Sequence, residues 1–263
     1  MSDYQPVLNS FLTDARALLD HVQATIEGLN IRVRTTTEVD MVLGAHFTRI
    51  LLSTRTTLDL CEAGNLFDGA TVARAVLEHF ISFAYLVDDP DVPKACALFV
   101  QNGYSQLAQQ HEAMVKHFPD LVDPNPRQAQ IAKDIAEKAF FKLGMNPQLA
   151  ALEKRYPNGI FAFLKDLPYS DYSTFSHPRA YALDLLRPEP AAEYRTDWPK
   201  YLTDCGGVAT MVTIAAVAAA QLLLWNWTFD KEDTMTERVE ALYHAHPRIL
   251  RPGIVPGKMP TIK

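Results

Sequence analysis

The stretch Asp68–Val87, DGATVARAVLEHFISFAYLV, is apolar on nearly every side when wound into a helix. Ala73, Val76, Leu77, Phe80, Ile81, Phe83 and Ala84 leave no broad polar face, and a helix of that kind belongs in the middle of a bundle. Thr71, Arg74, Glu78 and Ser82 nonetheless fall at spacings of three and four and draw one polar line along it, with His79 on the shoulder of that line. Charge inside a core is costly unless it is paired and hydrogen-bonded, so this helix predicts either an ion network or a site. Asp68 is its expected N-cap.

The remaining chain reads as helix after helix. Asp3–Ile26 carries an apolar stripe of helical period, and a long helix starts near Thr36 or Thr37 and runs to about Glu62. Gly64-Asn65 ends it, and the Asp68 helix follows at once. Further helices are expected over Val92–His117, Arg127–Leu143 and Gln148–Arg155, with a loop at Asp120–Pro126. Six prolines then punctuate Tyr156–Pro199, where only short helical turns fit. A long Ala-rich helix runs from near Trp198 to about Phe229, and a charged one, Lys231–His244, comes after it. No run alternates apolar and polar residues between turns in the manner of a strand. The expected architecture is therefore all-α: one multi-helix bundle domain over residues 1–246, with a Pro-rich excursion before the Ala-rich core helix and a basic, Pro-rich tail over 247–263.

Gly206–Phe229 contains no charged residue and is long enough to cross a bilayer. Its first half is mostly Ala, Thr, Gly and Val, and Gln221 and Asn226 interrupt its second half, so it reads as a core helix without stable membrane insertion. A net charge of −6 argues against broad, sequence-blind binding of nucleic acid, which needs an extensive basic surface, yet leaves room for a small RNA site. Cys61, Cys96 and Cys205 are widely spaced and form no CxxC, as buried thiols in a reducing compartment would be. With no apolar leader in MSDYQPVLNSF, a cytoplasmic location is the expectation.

The short Gly64–Phe67 connection should make an antiparallel hairpin. Folding it about Leu66 sets Arg74 level with Asp59 and Glu78 level with Arg55. Crossed pairs Asp59–Arg74 and Arg55–Glu78 are expected beside the intrahelical Arg74–Glu78 pair. Such a network can hold two helices in register without adding much stability. In the second constellation, PYSDYSTFSHP at Pro168–Pro178, one short helix would place Tyr172 and Ser176 on a common face with His177 at its edge. These hydroxyls and the imidazole could line a small polar pocket. Ser176 and His177 are neighbours with diverging side chains, which argues against a hydrolase dyad.

Two resemblances follow from these residues. Arg74–His79 reads R-x4-H, a spacing similar to that of ribonucleases of the all-helical HEPN superfamily, although Ala75 stands where that superfamily has a polar residue. The resemblance implies a metal-independent endoribonuclease, with His79 or His177 moving a proton at the ribose 2′-oxygen and Arg74 steadying the phosphate. It also implies a homodimer. The R-x-x-x-E helix with Arg74, Glu78 and Tyr85, followed by Tyr172, Ser176 and His177, resembles a bacterial all-helical family known only as a domain of unknown function. That likeness covers about Thr36–Leu183 and implies that the two polar clusters meet in space.

His111-Glu112 with His117 is not HExxH, and no Glu-x-x-His occurs, so neither a zinc nor a di-iron site is expected, and no cofactor. His244 and His246 read as a solvated helix end. No GxGxxG, P-loop or GxSxG is present. The preferred reading is a binding or regulatory protein, set by the resemblance in bacterial stress response or phage defence. Arg55, Asp59, Glu78, Tyr172 and Ser176 would line its site for a small ligand or RNA. The ribonuclease is the alternative, and a peripheral membrane protein using an exposed Ala-rich helix is a third. An enzyme would open Arg74 and His79 to a cleft, whereas a scaffold would bury and pair them.

Overall fold

A computed structural model describes residues 4–28, 38–119, 145–156 and 198–227, with Gln130, Phe161, Leu164, Arg238, Ala241, Leu242 and residues 244–246. The expected helix over Arg127–Leu143, the loop at Asp120–Pro126, most of the Pro-rich excursion and the tail 247–263 lie outside the described residues. Among the described residues there is no strand, and the chain is an all-α bundle. Its helices are α1 (Tyr4–Gly28), α2 (Glu38–Glu62), α3 (Leu66–Val87), α4 (Val92–His117), α5 (Met145–Arg155) and α6 (Trp198–Trp227).

The α2–α3 hairpin is built by a reversal three residues long. Gly64 takes φ 70°, which only glycine adopts without a Cβ penalty. Its N–H donates to the Cys61 carbonyl at 3.1 Å, and the Asn65 N–H donates to the Leu60 carbonyl at 2.7 Å. This pair of bonds is the Schellman closure that satisfies the last carbonyls of a helix. Asn65 then serves α3 as well, because its side-chain oxygen accepts from the Asp68 N–H at 3.3 Å. The N-cap is thus Asn65 and not Asp68, whose carboxylate instead accepts from the Asn65 amide at 2.7 Å within the first turn. Replacing Gly64 by alanine forces a Cβ into the left-handed region and is expected to cost about 1–2 kcal/mol in urea unfolding. Gly69→Ala should be neutral or stabilising by comparison, since a Cβ there meets Cys61 Sγ at an ordinary 3.5 Å. Equal losses at the two positions would refute this account of the turn.

α3 lies at the centre of the fold, in contact with α2, α4, α5 and α6. Ala73, Val76, Leu77, Phe80, Ile81 and Phe83 are fully buried, as its all-round apolar pattern requires. α6 packs across both α2 and α3, and α1 closes over α6 and α2. Buried Ala209, Ala215, Ala216, Ala219 and Ala220 let the α6 backbone approach its neighbours closely. Two helices, α3 and the 204–223 part of α6, are long and apolar enough to cross a membrane, and the latter is 89% buried inside the bundle. Thr54 of α2 donates to the Val212 carbonyl of α6 at 3.4 Å, inside the core. All three cysteines are free and buried. Cys61 sits against Cys205, and that neighbour together with burial pushes its thiol well above the usual range.

α4 begins at Asp91, which caps the Lys94 N–H at 3.2 Å, and Pro93 sits in its first turn. α5 is tied to α3 near both of its ends. Ser82 donates to Oε1 of the buried Gln148 at 3.0 Å. At the other end Asp88, just past α3, accepts from Arg155 and from the Tyr156 hydroxyl, the latter at 2.6 Å. Burial and then that carboxylate push the Tyr156 hydroxyl up to about 12, which keeps it a donor.

His246 departs from expectation. It is buried, lies edge-on to Phe11 with ring centroids 5.6 Å apart, and brings Nε2 within 2.6 Å of Asp14 Oδ2. His246 itself thus packs onto α1, whereas His244 is exposed, as a solvated helix end would be.

Candidate functional site

The polar line on α3 starts at the surface and sinks inward. Thr71 is exposed and donates to the Phe67 carbonyl at 2.9 Å. One turn on, Arg74 Nε donates to Glu78 Oε1 at 2.9 Å, with the two side chains 25% and 38% exposed. One turn further, Ser82 reaches the buried Gln148. The Arg74–Glu78 pair therefore sits at the edge of the bundle instead of deep within it.

The crossed pairs expected across the hairpin do not form. Asp59 and Glu62 both accept from Arg16 of α1, at 2.7 and 2.8 Å, and Arg55 donates to Asp20 at 2.7 Å and to Gln23 at 3.1 Å. The cause lies in the reversal. Centring it on Gly64 instead of Leu66 moves each α3 residue one helical turn along α2, so Arg74 stands level with Thr54. The outward charges of α2 then face α1, a partner the hairpin pattern does not contain. Arg55 and Asp59 consequently belong to the α1–α2 surface, apart from the Arg74–Glu78 pair. Tyr172, Ser176 and His177 lie outside the described residues.

His79 acquires a partner that the motif did not include. Its Nδ1 lies 3.1 Å from Nδ1 of His46, a residue of α2 only 7% exposed, and the ring of Phe99 on α4 lies 5.0 Å from that of His46. His46 was legible only as part of the buried stripe Val42, Leu43, His46, Phe47, Ile50, whose spacing of three and four puts an imidazole among core residues. Burial, reinforced by His79, lowers the His46 pKa to about 4. Burial and then Arg49 lower that of His79, with Glu78 opposing. Both rings are neutral at pH 7.

Hydrogen-bond satisfaction assigns the tautomers. A neutral imidazole has one N–H and one lone pair, so one Nδ1 donates and the other accepts. His46 Nε2 is buried with no partner among the described residues. Were His46 the acceptor, that nitrogen would carry an unsatisfied N–H, at a cost of about 1–3 kcal/mol. His46 is therefore the donor through Nδ1, its Nε2 is a bare lone pair, and His79 carries its proton on Nε2. Among the described residues no three His, Cys, Asp or Glu side chains converge to hold a metal ion.

A family model described as a family of unknown function, DUF5677, matches residues 40–186, more than half of the chain. The chain belongs to the DUF5677 family. The match covers nearly all of α2, the whole of α3, α4 and α5, and the Arg74–His79 motif, close to the span the sequence resemblance gave. The DUF5677 match leaves out α1 and α6, although both pack directly on α2. No curated protein and no solved structure matches the chain.

Proposed function

We propose that this DUF5677 chain is a helical binding or regulatory module whose polar site is the Arg74–Glu78–His79 stretch of α3, open to a small polar ligand or to RNA that is held without being cut. The observation that carries this reading is the 3.1 Å contact between His79 Nδ1 and His46 Nδ1. A general base needs a lone pair aimed at the proton it removes. His79 has one lone pair, on Nδ1, and it is engaged by His46, while Nε2 carries a proton and can only donate. Pairing of Arg74 with Glu78 further suits a recognition surface, where a carboxylate and a guanidinium present complementary charge. The setting in stress response or phage defence that the resemblance implies belongs to the same proposal.

The alternative is the metal-independent ribonuclease, and a mixed RNA panel in excess EDTA separates the two. Wild type, His79→Ala and Arg74→Ala are compared after circular dichroism has shown each to be folded. The expected result is no cleavage by any of the three. Cleavage by wild type that survives EDTA and disappears in folded His79→Ala would replace the binding module with the enzyme.

A further inference from the structure

We infer that the His46–His79 contact is an acid-opened latch that holds α4 on the α2–α3 hairpin. This goes beyond the proposed binding role and does not depend on it. In the neutral pair, His46 gives its Nδ1 proton to His79 Nδ1, and His79 carries its own proton on Nε2. Two places remain for one proton taken from the solvent. One is the lone pair of His46 Nε2, which is buried with no partner among the described residues. The other is His79 Nδ1, reached only by breaking the shared bond, which leaves two N–H groups facing each other across 3.1 Å. The first product keeps the shared bond but buries a charged N–H with no acceptor among the described residues, and the second breaks the bond, so a single proton penalises the closed arrangement either way.

The position of α4 gives this a mechanical consequence. Among its described side chains the buried ones, Ala95 and Cys96, lie in the first two turns, and Phe99 rests on His46. Further along, Tyr104, Met114 and Phe118 are 51–59% exposed, so the burial described for α4 lies near its start. Displacing the His46 ring removes the surface that Phe99 covers. The charged groups acting on the pair are Arg49 on α2, which opposes protonation of His79, and Glu78 on α3, which favours it. From α4 the facing group is the Phe99 ring, which does not titrate. Cys96, the titratable residue in the same part of α4, is held as a thiol by burial.

The test is amide hydrogen exchange along α4 at pH 7 and pH 5, corrected for intrinsic exchange, in wild type and His46→Asn. An asparagine amide can donate to His79 Nδ1 or, once flipped, accept from it, so this variant keeps the contact in either protonation state. Exchange across 92–100 is expected to rise at least tenfold in wild type and to stay within about twofold in His46→Asn. An unchanged rate in wild type, or an equal rise in both, overturns the latch. Should His46→Asn fail to fold, nitrogen-15 spectra of the wild-type imidazoles decide. A proton on Nδ1 of His46 and on Nε2 of His79 at pH 7, with both patterns lost at the pH where α4 opens, supports the latch. The reverse tautomers, or opening at another pH, overturn it.

Discussion

Phe80→Ala should lower the unfolding free energy by about 3–5 kcal/mol, the largest loss expected from any one replacement described here. The ring is fully buried in α3 and stacks on Phe161, with centroids 5.8 Å apart and planes 14° from parallel. Removing it leaves a void between the central helix and the segment that carries Phe161, and neighbouring helices held by α5 and α6 have little freedom to collapse into it. Domains of this kind are stable by about 5–15 kcal/mol in total, so the variant loses a third or more of its margin. Urea unfolding monitored by circular dichroism gives the midpoint, and Phe80→Leu supplies the comparison, at a cost of about 1.5 kcal/mol or less because most of the volume is kept. A loss below about 1 kcal/mol for Phe80→Ala would mean that α3 is not the centre of the core.

Stability should also fall as the solution is acidified from pH 6.5 towards 4, over and above the usual effect of carboxylates. His46 titrates at its ordinary 6.5 when unfolded and at about 4 when folded. Between these values the unfolded chain binds more protons, so stability rises with pH across the window. The penalty is absent above pH 6.5, grows as pH falls, and levels off below about 4. For His46 the shift corresponds to about 3 kcal/mol at saturation, and the lowered pKa of His79 adds in the same direction. The difference between wild type and His46→Phe, read from urea midpoints at pH 7.5, 6.0 and 5.0, isolates this part from the carboxylates. Parallel curves for the two proteins would show that His46 charges freely in the fold.

Much of the architecture was legible because the signals were local. Asp91 and Pro93 mark the start of α4 and Phe118-Pro119 its end, and the observed helix has the expected bounds, Val92–His117. The all-round apolar character of Phe80, Ile81 and Phe83 placed α3 in the centre. The site was less legible, for a geometric reason. A hairpin pattern relates two helices, and an error of two residues in its pivot moves every partner on the facing helix by a full turn. That error concealed the His46 partner of His79, while the Arg16 partner of Asp59 lies on α1, outside the hairpin. His246 was misplaced for a similar reason, since its partner Asp14 stands 232 residues away and no spacing rule reaches that far.

The closing of the core by α6 has a consequence for synthesis. The faces of α2 and α3 that α6 covers are made about 110 residues before α6 itself. At roughly 5–20 residues per second, a ribosome leaves those faces bare for about 5–20 s. During that interval those faces have no native cover, and contacts between early and late helices cannot form at any speed. This chain is therefore one whose folding is timed by translation, and whose nascent form should engage holding chaperones until its last long helix emerges.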